Sequence, residues 1–207
     1  VNTRKLVVVS AGLSQPSSTR LLADRLTEAT RPALAAHGVE AEVEVVELRE
    51  HAHDLANNLL TGVPTGGLGA AIDTLAGADG LIAVTPVFNA SYSGLFKLFF
   101  DVLDPDSLTG MPVLTAATGG TPRHSLALEH ALRPMFAYLR AVVVPTAVYA
   151  ASPDWGSSGT GGGELATRID RAAEELAALM VARVRRDTGP AEPTPFEQLL
   201  AESQGHA

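Results

Sequence analysis

Four hydroxyl side chains, Ser14, Ser17, Ser18 and Thr19, fall within six residues and are followed at once by Arg20. They lie between an apolar run at 6–9 and a helical pattern that begins near Ser18. The first turn of a helix presents N–H groups that lack intrahelical partners, at the positive end of the helix dipole. Ringed by hydroxyls, such a turn is a cradle for a phosphate. A helix cap needs only one of these hydroxyls. A cation in the first turn is unfavourable unless an anion offsets it. The stretch therefore reads either as a simple N-cap or as a phosphate site that Arg20 assists.

Two more polar loops carry residues suited to holding a small molecule: Pro86-Val-Phe-Asn-Ala-Ser-Tyr-Ser-Gly94 and Thr118-Gly-Gly-Thr-Pro-Arg-His124. The Asn89 amide can both donate and accept along a ring edge, or can simply serve a turn. Gly119 and Gly120 allow backbone amides to come close to a ligand. His51, His53 and Asp54 are metal-ligand types, but no fourth ligand stands nearby, so a solvated loop is expected there and no metal site. His124 reads as a solvated residue of a helix start, and His130 as an interface or core residue. No Ser/His/Asp set is apparent, and no catalytic side chain is assigned. The Gly-x-Gly-x-x-Gly and Walker spacings are both absent.

These loops need elements to position them. The chain has 207 residues, 46% apolar, enough for one domain with a full core. No apolar run reaches membrane-spanning length, and Arg4-Lys5 leads straight into the first strand, so no leader and no membrane association are expected. The absence of cysteine excludes disulfides and thiolate chemistry, and a cytoplasmic protein is expected. The formal charge of −8 argues against a general nucleic-acid role.

Apolar runs at 6–9, 80–85, 112–117 and 141–149, with an alternating edge-like run at 40–48, predict five strands. Helical patterns alternate with them. The first, from Ser18, is expected to break or kink at Pro32 and ends at Gly38; residues 49–63 carry no clear pattern; a weak helix spans 64–76. The strand at 80–85 is expected to stop at Pro86. The helix at 95–103 is apolar almost all round, so one face should pack on the sheet and the other on a second subunit. In the helix at 123–138, Pro134 deprives the His130 carbonyl of its usual donor, which predicts a kink or π-bulge near His130. Residues 156–163 read as a mobile glycine-rich segment before a helix at 164–186. Residues 187–207 read as a Pro-rich tail outside a single domain spanning 1–186.

Strands alternating with helices imply a doubly wound parallel sheet with helices on both faces. Right-handed crossovers put the three polar loops at one end, outside the carboxyl ends of the central strands, where such sheets bind ligands. The run from Thr85 through Phe99, and Ala117-Thr-Gly-Gly-Thr-Pro-Arg-His-Ser-Leu-Ala127 continuing to Leu132-Arg-Pro134, resemble the NADPH-dependent FMN reductases. The likeness is greatest to the reductases that feed two-component sulfonate monooxygenases, and it covers about 5–150. The first loop departs from that family's common Gly-Ser-x-Arg start, and His130 stands where many relatives have tyrosine.

The resemblance implies a flavodoxin-like α/β fold, FMN as cofactor with NADPH or NADH as hydride donor, and a homodimer or homotetramer. By position, Ser14, Ser17, Ser18, Thr19 and Arg20 would take the FMN phosphate. Pro86, Val87, Phe88 and Asn89 would line the isoalloxazine edge, and Thr118, Gly119 and Gly120 would meet its pyrimidine end. A flavin-dependent monooxygenase is the implied partner. The same loops would also serve a quinone, azo or chromate reductase, or a flavodoxin-like electron carrier.

Overall fold

The computed structural model describes residues 2–155 and 160–184. Its sheet is built on three buried strands: β1 (Asn2–Ser10), β3 (Gly80–Phe88) and β5 (Pro112–Gly119). The strand β2 (Val39–Glu47) lies at one edge, its exposed positions filled by Glu40, Glu44 and their neighbours. The fifth position is shared by β6 (Val142–Val143) and β7 (Val148–Ala151), both paired to β5 on either side of Pro145. Proline has no N–H to give a ladder, which accounts for the interruption. The order is β2-β1-β3-β5-β6, all parallel, the doubly wound arrangement of flavodoxin-like sheets.

Alternation along each strand divides the core into two layers. Val7, Val9, Leu81, Ala83, Val113 and Ala117 face one cluster; Leu6, Val8, Ile82, Val84, Leu114 and Ala116 face the other. On the second face lie α1 (Ser18–Ala36) and α6 (Thr160–Ala182). The first face is covered by α2 (Ala52–Thr61), α3 (Leu68–Ala76), α4 (Gly94–Asp101) and α5 (Arg133–Tyr138). At the floor of the sheet, Arg4 Nη1 donates to Asp79 Oδ1 at 3.2 Å, and the Lys5 amide donates to Asp79 Oδ2 at 2.9 Å.

Several sequence expectations change. Residues 52–61 form α2 rather than a loop: Leu55 and Asn58 are buried, and Gly62 at φ 73° supplies the left-handed stop. Asp54, in that helix, accepts from Thr65 Oγ1 at 2.7 Å. Pro32 does not break α1, which runs on to Ala36 before Gly38 at φ 70° turns the chain. The next helix starts at Leu68, after the Gly66–Gly67 turn, rather than at Pro64. Nor does β3 stop at Pro86. A proline at the end of a strand forfeits only one donor, and the chain continues to Phe88 and folds back as β4 (Ser91–Tyr92).

The phenylalanines of the apolar helix α4 form its inner face. Phe96, Phe99 and Phe100 are buried within this chain, and the Phe100 ring meets that of Phe136 edge-on at 5.0 Å. The bulge expected near His130 is present: Leu128–Leu132 form a π-turn, with the Arg133 amide donating to the Leu128 carbonyl. His124 and His130 are both exposed. The last helix begins at Thr160, so the glycines at 161–163 are helical. Residues 156–159 of the glycine-rich segment, and the tail at 187–207, lie outside the described residues.

Candidate flavin site

Beyond the carboxyl ends of β1, β3 and β5, the three polar loops close around one cavity of about 420 Å³, within the range of small-molecule sites. From the first loop it is lined by Leu13, Ser14, Ser17, Ser18 and Thr19. The second loop contributes Pro86, Val87 and Phe88, and the third Thr118, Gly119 and Gly120. Ten of the twelve residues expected from sequence thus share one wall system. Among the described residues, no Asp, Glu, His, Lys or Arg lines it.

The first loop is shaped by close contacts. The Ala11 amide donates to the Val84 carbonyl at 2.9 Å, which pins the loop to β3. Ser17 is the N-cap of α1, its Oγ accepting from the Arg20 amide at 3.2 Å. A Cβ on Gly12 would lie 2.1 Å from that Oγ, so any other residue there must displace Ser17 from its cap. The amides of Ser18 and Thr19, and the hydroxyls of Ser14 and Ser18, have no protein partner among the described residues. This donor set, at the positive end of a 19-residue helix, fits a phosphate monoester. Thr19 lines the cavity too. Its Oγ1 lies 2.8 Å from Thr118 Oγ1, tying the first loop to the third across the cavity floor.

Arg20 does not line the cavity. Its guanidinium donates to Asp24 at 2.8 Å and pairs with Glu47, and Glu47 also receives Arg49. The bond to Asp24 is the main influence raising its pKa, against a desolvation that lowers it. The first-turn cation is therefore offset by carboxylates of this chain. Asn89 is absent from the wall as well. It forms, with Ala90, the two-residue connection between β3 and β4, at φ 48° and 69°. That geometry requires left-handed backbone at both positions, which asparagine tolerates and alanine adopts only under strain. Ala90→Gly is therefore expected to raise stability by about 0.5–1 kcal/mol in urea denaturation, the αL strain relieved exceeding the extra unfolded-chain entropy.

Beneath the second loop, Thr85 Oγ1 accepts from the Ser93 amide at 3.0 Å, and Ser93 Oγ caps α4 through the Phe96 amide. These bonds hold the hairpin against the cavity while Phe88 stands half exposed at its rim. The third loop is held by Tyr149, whose hydroxyl donates to the Thr121 carbonyl at 2.8 Å. A Cβ on Gly119 would fall 2.1 Å from that hydroxyl. Burial, and then the nearby charge of Asp154, push the Tyr149 phenol above its ordinary value, so it remains a donor through the neutral range.

Three lining residues were not read from sequence: Leu13, Ser152 and Trp155. The 3₁₀ turn Ser152–Trp155 follows β7 directly, and the Arg25 guanidinium of α1 sits 5.0 Å over the Trp155 ring. For Ser152 and Trp155, a place after the fifth strand, at the same end of the sheet as the other three loops, was the available signal; Leu13 lies within the first of those loops.

Comparison with known proteins agrees with this arrangement. The family model described as NADPH-dependent FMN reductase matches residues 4–156. The FMN reductase (NADPH) of Pseudomonas aeruginosa is 37% identical over 86% of this chain and 94% of its own. The NADH-dependent FMN reductase SfnE of Pseudomonas putida is 37% identical over 84% of this chain and 91% of its own. Among solved structures, an oxidoreductase from Corynebacterium diphtheriae superposes with a TM-score of 0.85 at 51% identity, covering 89% of this chain and all of that one. An apo NADH:FMN oxidoreductase, EmoB, superposes at 0.71 with 25% identity, covering 95% and 98%. With three loops meeting where such a sheet binds its ligand and a family match over most of the chain, this protein belongs to the NADPH-dependent FMN reductase family.

Proposed function

We propose that this chain reduces FMN with NAD(P)H and passes the reduced flavin to a flavin-dependent monooxygenase. The observation that carries the reading is the three-loop cavity, which offers a phosphate cradle at one end and, among the described residues, no Asp, Glu, His, Lys or Arg in its wall. FMN, when bound, supplies the two-electron acceptor for hydride from nicotinamide. The residues of this chain would bind and orient rather than exchange protons. Ser14, Ser17, Ser18 and the amides opening α1 would hold the phosphate; Pro86, Val87 and Phe88 would line the ring edge; Gly119 and Gly120 would bring amides to the pyrimidine end, where reduction gathers negative charge. Arg20 would add to the field at the phosphate only from behind its carboxylate partners, and Asn89 would act by shaping the hairpin.

The monooxygenase partner is supported by the resemblance of the second and third loops to reductases of two-component systems, and by the half-exposed Phe88 at the cavity rim. A homodimer or homotetramer is supported by a groove of about 590 Å³ between α4 and the π-turn, walled by Tyr92, Phe100, Met135 and Tyr138. The single domain would end near 186, with 187–207 as its tail.

The test is steady-state oxidation of NADPH and of NADH with free FMN titrated from zero. A hyperbolic rise with FMN is expected, with little flavin retained after purification. A rate that is independent of added FMN and appears only with a quinone or dye would overturn the proposal.

A further inference from the structure

The Thr19–Thr118 contact contains more donors than it uses. Two hydroxyls 2.8 Å apart share one hydrogen bond, in which either can be the donor, so one of their two protons is left over. Both residues are almost wholly buried, at 2% and 4% exposure, and neither hydroxyl makes another hydrogen bond among the described residues. A buried O–H without an acceptor is costly. Both residues line the cavity, so the acceptor that would satisfy the surplus proton is an atom of whatever the cavity holds. An acceptor-only group such as a phosphate suits that need. Thr19 is the second residue of α1, inside the turn that opens on the phosphate cradle, whereas Thr118 ends β5 nearly a hundred residues later.

We propose that Thr118 is a positioning residue for the phosphate cradle, acting through Thr19, rather than a contact for the pyrimidine end of the flavin. This inference rests on the FMN reading of the site. The hydroxyl pair fixes the first turn of α1 against the end of β5. With Thr118 donating to Thr19, it also directs the unused Thr19 proton to a phosphate oxygen. No bond is made or broken; the effect is on flavin affinity.

The experiment is equilibrium binding of FMN and of riboflavin, which lacks the phosphate, to the full chain and to Thr118→Val, Thr118→Ser and Thr19→Val. Valine preserves shape and removes the hydroxyl, and thermal melting of the flavin-free proteins verifies that each variant folds. Thr118→Val is expected to weaken FMN about tenfold, roughly what one lost hydrogen bond to a charged group costs, with riboflavin changed less than about twofold. Thr118→Ser should restore FMN binding, and the Thr118→Val/Thr19→Val double variant should be no weaker than the worse single one, because the two hydroxyls act as a unit. Equal losses for FMN and riboflavin would return Thr118 to the ring end of the site and overturn the proposal. Unchanged FMN affinity in folded Thr118→Val, or losses in the two single variants that simply add, would overturn it too. Failure of the unsubstituted chain to bind FMN would instead remove the flavin reading itself.

Discussion

Asp79→Ala is expected to cost about 3–5 kcal/mol of stability, the usual penalty for stripping one partner from a buried ion pair. Asp79 is 2% exposed and the Arg4 side chain is nearly as deep. The carboxylate receives Arg4 Nη1 on one oxygen and the Lys5 amide on the other, while its own amide donates to the Lys5 carbonyl at 2.8 Å. It thus fastens the turn before β3 to the start of β1. Arg4 also donates to the Arg183 carbonyl at 3.0 Å, so the same guanidinium anchors the end of α6. Without Asp79, Arg4 is left as a buried cation whose remaining partner among the described residues is the Arg183 carbonyl. Urea denaturation of Asp79→Ala and Asp79→Asn gives the comparison. Asparagine keeps an acceptor for the Lys5 amide and should lose less than alanine. A change under about 1 kcal/mol for alanine, typical of exposed pairs, would show that the pair is solvated in solution.

Gly12→Ala carries the largest effect expected at the site. The new Cβ would stand 2.1 Å from Ser17 Oγ, 3.1 Å from Ser17 Cβ and 3.2 Å from Thr19 Cβ. Ser17 must then leave its capping rotamer and release the Arg20 amide, a loss of about 0.5–2 kcal/mol in stability. The hydroxyls and amides of the cradle move with it, so FMN affinity should fall about 10- to 100-fold, the range for one charge-assisted hydrogen bond. The rise in melting temperature on adding saturating FMN is the measurement, since a ligand stabilises only in proportion to its binding. An undiminished rise in the variant would mean that the first loop does not hold the phosphate.

Much of the fold was legible because parallel strands buried on both faces read as continuous apolar runs, as at 6–9, 80–85 and 112–117. The π-turn at Leu128–Leu132 was legible for a different reason: Pro134 has no N–H, so a regular ladder could not continue past it. The helix Ala52–Thr61 was not legible. Its residues include a histidine, an aspartate and two asparagines, and it is held by burial of Leu55 and Asn58. An apolar helix does not say in sequence what covers each face; Phe136 of α5 and the sheet cover Phe96, Phe99 and Phe100 of α4.

The site divides along the same line. Sequence by itself determined which loops carry it, because strand-to-helix order and right-handed crossovers place those loops at one end of the sheet whatever their side chains. It also determined the membership of Ser14, Ser17, Ser18, Phe88 and the Gly119–Gly120 pair in one wall. Only the tertiary structure decided where individual side chains point. Arg20 turned to Asp24 and Glu47, Asn89 went to the hairpin turn, Trp155 joined the wall beneath Arg25, and Thr19 turned to Thr118. The physical reason is that backbone periodicity is local and fixes topology. A side chain's rotamer is set by partners that fold in from 27 or 99 residues away, and pairwise spacing along the chain does not encode them.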